Sequence, residues 1–209
     1  EQSSSGQSLV NMMDLDLLVG SGGVLSHAPR RQQSARMLID AFMPEGITQL
    51  AVDSIFMMPQ LGVLANIDKK ELKDDASQAA LEVFDNDCLI RLGTCVTPVG
   101  KVKPKSKMAQ VSLTFKDGST KEIEVLEGSL EMLEVPYEEV KVNIVPSRGV
   151  DVGAGKGEPL DSVIFGGVVG LIFDGRNRPI TLSTDPSQRI ESLLNWSNAV
   201  DEYPKGDLF

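Results

Sequence analysis

Leu17-Leu18-Val19-Gly20-Ser21-Gly22-Gly23-Val24-Leu25 is the stretch on which the reading of the chain turns. An apolar run, Asp14 to Val19, stops at a cluster of glycines, as a buried strand does when it enters a tight turn. Downstream, Ala35, Leu38, Ile39 and Phe42 recur at helical spacing, with Pro29 suited to the first helical position and Pro44-Glu45-Gly46 ending the helix. Ile47 to Val52 reads as a second strand flanked by Asp53. Strand, crossover helix and strand make a βαβ unit, so the sheet is locally parallel.

The following segment, Ser54 to Asn66, is apolar but interrupted by Pro59 and Gly62, which predicts a broken helix or buried loop. Asp68 and Glu71 have the spacing of a capping box. Leu72, Ala76, Ala79, Ala80 and Val83 then form the apolar face of a helix running to about Asp85. Beyond Leu92 the character becomes β: Thr94 to Val99 is β-prone and Lys101 to Lys107 is a basic connector. Asp117-Gly118 between Val111–Phe115 and Glu122–Val125 predicts a hairpin. Further strands are expected at Val140–Val145, Val163–Phe173 and Ile180–Leu182. Asp185-Pro186 opens a last helix with Ile190, Leu193, Leu194 and Trp196 on its apolar side. The fold class is therefore α/β followed by mainly β, closed by a C-terminal helix, with units at 1–92 and 93–209.

Composition limits the function. The 209 residues are 41% hydrophobic, which supports a sizeable core. With 20 Lys+Arg against 30 Asp+Glu the net charge is -10, which disfavours nucleic acid and anionic membrane as partners. Two Cys and one His argue against a disulfide scaffold or a zinc site, and 5% aromatics argue against a base-stacking platform. The most apolar run, Val163 to Phe173, is shorter than the roughly 20 residues a membrane helix needs. A cytoplasmic protein is the expectation.

For chemistry, the glycine turn is the most informative element. Backbone without Cβ atoms admits a ligand closely at the carboxyl edge of a sheet, which suits a nucleotide or other anion-bearing molecule. It is neither a Walker loop, lacking Lys-Ser/Thr at the right offset, nor a dinucleotide fingerprint, because Leu25 replaces the third glycine. A tight turn without ligand fits the residues equally well. His27 and the thiols Cys88 and Cys95 lack the neighbours a catalytic group needs, and Asp53 is either a helix cap or a ligand of Mg²⁺ through water, the cap being favoured. Asp151-Val152-Gly153-Ala154-Gly155 resembles a phosphate hairpin superficially, but no Ser or Thr follows Gly153, so a Gly-rich turn is preferred. Glu131 to Glu139 reads as a solvated acidic face.

Asp16 to Pro29 (DLLVGSGGVLSHAP), Leu38–Phe42, Pro44–Leu50, Ala51–Pro59, Leu61–Leu64 and Leu92-Gly93-Thr94 resemble the MutL/GlmL family, and the likeness resumes at Asp151–Gly155 and Gly166–Ile172. That family is encoded beside adenosylcobalamin-dependent glutamate mutase and ornithine aminomutase and is unrelated to the mismatch-repair MutL. The resemblance implies part of an actin-like ATPase lobe joined to a family-specific β-rich domain. It implies ATP or ADP with Mg²⁺ as ligand in the full-length protein, the mutase subunits as partners and a homodimer as one assembly. Gly22 and Gly23 match the superfamily's adenosine element, Gly20 and Ser21 line its approach, and Arg30 or Arg31 would stack on adenine. No metal ligand and no catalytic residue is assigned. The superfamily's first phosphate hairpin would lie upstream, so this chain is expected to be a C-terminal portion, at most an ATPase when whole. The competing expectations are a kinase-like transferase acting on an amino-acid-derived substrate and a scaffold that binds no nucleotide.

Overall fold

The computed structural model describes residues 10–65 and 74–204. Strand β1 (Leu17–Gly20) leads through a short helix, α1 (Gly23–Ser26), to helix α2 (Arg31–Phe42) and strand β2 (Gly46–Asp53). β1 and β2 are parallel, with Leu17 opposite Gln49 and Gly20 opposite Val52, as a βαβ unit requires. α2 buries Ala35, Leu38 and Ile39, whereas Phe42 is exposed at its end. It begins two residues later than expected: Pro29 precedes the cap, and the Arg30 N–H donates to Gln33 Oε1, 3.2 Å. Met43 in the left-handed region, φ 50°, ends the helix.

After β2 come α3 (Met58–Ala65) and α4 (Asp74–Val83), followed by one turn of π-helix, Phe84–Cys88. The segment expected as a broken helix or buried loop is thus an outlying helix, and Pro59 is tolerated because it sits in the first turn, where its missing N–H has no intrahelical partner anyway. Among the described residues only Leu61, Ala80 and Cys88 are buried in the cluster that joins these helices. Val83 is exposed, so the apolar face of α4 is narrower than its spacing suggests. Asp68, Glu71 and Leu72 lie outside the described residues.

Among the described residues that follow there are nine strands: β3 (Leu89–Thr97), β4 (Val99–Gly100), β5 (Lys107–Thr114), β6 (Thr120–Leu126), β7 (Leu130–Leu133), β8 (Glu139–Pro146), β9 (Val150–Asp151), β10 (Leu160–Phe165) and β11 (Gly170–Asp174). One sheet has the order β1-β2-β3-β11-β7, a second β10-β8-β5-β6, and β4 pairs with β9. β3 runs antiparallel to β2 and parallel to β11, so residue 92 lies within a strand bonded on both sides. The hairpin predicted at Asp117-Gly118 is formed by β5 and β6.

Two strand expectations are corrected. Val163–Phe173 is not one strand: the chain leaves β10 at Phe165, turns through 166–169, and enters β11 in the other sheet. In that turn the Gly167 and Val168 N–H groups donate to Val135 O and Arg91 O, which takes them out of any ladder with β10. Ile180–Leu182 forms no strand, because residues 177–180 turn immediately after β11. Glu131–Glu139, read as an acidic face, includes edge strand β7; Leu130 and Val135 point into the core while Glu131 stays outside.

Alternation along the central strands makes three layers. Val96, Leu171 and Phe173 face the second sheet, meeting Val111, Leu113, Val142 and Ile144. Cys95 and Ile172 point the other way, with Leu50, Val52 and Leu92, toward Leu38 and Ile39 of α2 and Trp196 of helix α5 (Pro186–Ala199). As expected, Asp185 caps α5, accepting from the Gln188 N–H at 2.9 Å. Ile190 and Leu193, expected on the apolar side of α5, are exposed, whereas Trp196, expected there too, is buried and anchors it together with Val200.

Candidate functional site

Parallel pairing of β1 and β2 delivers the glycine turn and Asp53 to the same edge of the central sheet. Asp53 is fully buried, yet both its oxygens are used: Oδ1 accepts from the Met57 N–H at 3.2 Å and Oδ2 from the Met58 N–H at 3.1 Å. Ser21 Oγ donates to Asp53 Oδ2, 3.3 Å, and Ser26 Oγ lies 3.0 Å from the Asp53 carbonyl and 2.9 Å from that of Gly22. Asp53 is therefore a helix cap that also ties down the turn. Among the described residues no group of three His, Cys, Asp or Glu side chains could hold a metal ion.

The glycines divide into two kinds. A Cβ on Gly20 would stand 2.6 Å from Leu25 Cδ1 and 2.9 Å from Leu38 Cδ2, so its bare face makes room for core packing. A Cβ on Gly22 or Gly23 would meet nothing within 4 Å. Gly22 has φ 120°, a conformation natural only to glycine, and Ser21, Gly23 and Val24 are exposed. The turn leaves the Gly22 and Gly23 backbone uncovered by neighbouring side chains. The two arginines are engaged by the protein: Arg30 Nη2 pairs with Asp201 Oδ2 at 3.2 Å, and Arg31 Nη1 donates to Ser26 O at 2.9 Å. The second contact bolts α1 to the start of α2. His27 is exposed, its ring 6.3 Å from that of Phe56 and tilted by 59°.

At the second glycine-rich stretch, Asp151 Oδ1 accepts from the Gly153 N–H at 2.8 Å and the Gly155 N–H at 3.1 Å. The loop closes on its own carboxylate, as a Gly-rich turn does. Cys88 and Cys95 are buried free thiols; burial first, and then the Asp174 charge, pushes Cys95 up to about 12, which keeps it protonated and inert.

Two groupings had no signal that the linear reading could use. Asp174, Arg176 and Arg178 alternate across the end of β11: Arg176 Nη2 and Arg178 Nη2 lie 2.8 Å and 3.0 Å from Asp174 Oδ2, all three side chains buried. Arg176 and Arg36, which share Asp40, also lie against the Trp196 ring, at 5.2 Å and 5.8 Å from its centroid. The other grouping, around Arg91 and Tyr137, joins residues 46 positions apart, so only the fold brings it together.

Residues 2–83 match the family model described as MutL protein. Over those residues the chain is similar to that family. The segment holds the whole βαβ unit, the open turn, Asp53 and the paired helices α3 and α4, whereas the β-rich part follows it. No curated protein and no solved structure matches the chain. The matched residues thus include the part of the molecule that builds the sheet edge carrying the glycine turn. Among the described residues no helix is long and apolar enough to cross a membrane.

Proposed function

We propose that this chain is part of an ATP-binding accessory protein, chaperone- or reactivase-like, that serves an adenosylcobalamin-dependent aminomutase or glutamate mutase. One observation carries the reading: within the MutL segment, Gly22 and Gly23 leave backbone open to approach at the carboxyl end of a parallel strand. Ligands of open α/β sheets bind at that edge, where side-chain-free backbone lets a sugar and base lie close. Phosphate-binding hairpins and the Mg²⁺ that accompanies the triphosphate belong, on this reading, to the whole protein. To reach the ligand, Arg30 would leave Asp201 or Arg31 would leave Ser26 O.

Function as a switch requires that the mutase prefer one nucleotide state over the other, since a ligand moves an equilibrium only by its differential affinity. The test is titration of ATP and ADP into the full-length protein and its Gly23→Arg variant, followed by mutase binding with each nucleotide. The reading expects the substitution, which points into open space, to weaken nucleotide binding at least tenfold without unfolding the protein. Equal affinities in parent and variant would leave a scaffold; a phosphorylated amino-acid product would instead identify a transferase.

A further inference from the structure

We propose that a groove beside the π-helical turn binds a small organic monocarboxylate with an apolar body. The cavity measures about 600 Å³, within the range of small-molecule sites. It lies on the same sheet edge as Asp53, because Leu89 at the start of β3 pairs with Asp53 at the end of β2. Three separate parts of the chain build it. The π turn Phe84–Cys88 contributes Asp85 and Asn86, the link from β7 to β8 contributes Pro136 and Tyr137, and the turn from β10 to β11 contributes Val168. Such π turns recur at functional sites, where the extra residue widens the backbone and displaces side chains.

Arg91 is the recognising group. Its guanidinium carbon stands 5.1 Å from the centre of the Tyr137 ring, and that ring stacks in turn on Phe165, 5.8 Å apart and inclined by 25°. Arg91 Nη2 donates to Asp85 Oδ1, and no other hydrogen bond of this guanidinium is made among the described residues. A guanidinium carries five N–H donors in a fixed fork, so most of the fork is unspent. Asp85 is more than half exposed, and an ion pair so solvated orients Arg91 without neutralising it. The Asn86 amide likewise has no partner among the described residues, and it can hold a second polar atom of the ligand. The remaining wall is apolar: Ile90, Pro136 and the exposed Val168 offer a surface for a hydrocarbon body. One free cationic fork beside an aliphatic and aromatic wall selects a molecule with one carboxylate and little else that is charged. The proposal is independent of the nucleotide reading, which uses residues 20–31.

The experiment follows amide shifts in the ¹⁵N-labelled 209-residue protein while 3-phenylpropionate, or its neutral primary amide, is added. The acid is expected to give saturable shifts at Arg91, Tyr137 and Val168 with a Kd near 1 mM, and the amide to bind at least tenfold more weakly. Arg91→Gln is expected to weaken the acid at least tenfold. Val168→Glu, at an exposed position that does not threaten folding, is expected to do the same by placing a like charge in the groove. Acid and amide binding equally, shifts confined to other residues, no shift up to about 10 mM acid, or unchanged affinity in folded Val168→Glu would each overturn the proposal.

Discussion

Gly93 and Gly170 meet across the parallel β3–β11 pair so closely that a Cβ on Gly93 would stand 1.8 Å from the Gly170 carbonyl oxygen. Gly93 has φ 137°, so its conformation and its space both exclude a side chain. The contact seats β11 on β3, the strand whose other edge pairs with β2. Gly93→Ala combines overpacking of about 1–3 kcal/mol with strained backbone of about 1–2 kcal/mol. The expected result is a loss of at least 2 kcal/mol in urea unfolding, seen as a lower midpoint with the slope retained.

Trp196 holds the C-terminal helix to the body by packing, by two stacked guanidinium groups and by donation from Nε1 to Gly128 O at 2.8 Å. Trp196→Ala should cost about 3–5 kcal/mol, the range for emptying a large buried aromatic site. Trp196→Phe keeps a ring beside Arg36 and Arg176 but loses the hydrogen bond to the carbonyl of the exposed Gly128, for a loss of about 0.5–1.5 kcal/mol. Thermal unfolding of the two variants separates the contribution of the ring from that of its hydrogen bond.

The buried Asp174 sets an acid limit on stability. Burial alone would raise its carboxyl, but hydrogen bonds and charge from Arg176, with the charge of Arg178, outweigh burial and hold it below the usual carboxylate range. A depressed folded-state pKa contributes stability that is complete above the ordinary aspartate value of about 3.9 and is lost as pH falls through the folded value. Unfolding midpoints measured from about pH 7 to pH 2 should be flat in this contribution until the acid end and then fall. Asp174→Asn should lower stability at neutral pH by about 3–5 kcal/mol, because the buried Arg176 and Arg178 lose the carboxylate they share and Arg176 keeps only the more exposed Asp40, and should make the acid decline shallower.

The βαβ unit, the hairpin and the α5 cap were legible because each is local: Leu38 and Ile39 repeat at helical spacing, Asp117-Gly118 makes a turn without distant help, and Asp185 reaches its own helix. Asp53 as a cap was legible for the same reason. The split at Gly166–Val169 was not, since Val163 to Phe173 reads as one apolar run and only the N–H bonds to Val135 and Arg91 show that it changes sheets. Ile190 and Leu193 misled because helical spacing marks an apolar face without showing whether anything covers it. The open geometry at Gly22–Gly23 was foreseen from composition of the turn, but Gly20 looked identical in sequence, and only the positions of Leu25 and Leu38 separate packing from openness. Arg91 and Tyr137 carried no linear signal at all.

Asp53 couples the glycine turn to α3, and the coupling can be cut at one atom pair. Its two oxygens serve three donors, the Met57 and Met58 N–H groups and the Ser21 hydroxyl. Asp53→Ala removes every acceptor at once and should cost about 1–2 kcal/mol as a lost cap. Asp53→Asn should recover little, because whichever way the amide turns its NH₂ faces a backbone N–H, donor against donor. Hydrogen exchange locates the damage: amides of residues 57–65 should exchange at least tenfold faster in both variants, while those of β5 and β8 keep their rates. Uniform acceleration throughout the molecule would mean that Asp53 supports the whole sheet rather than this helix and its turn.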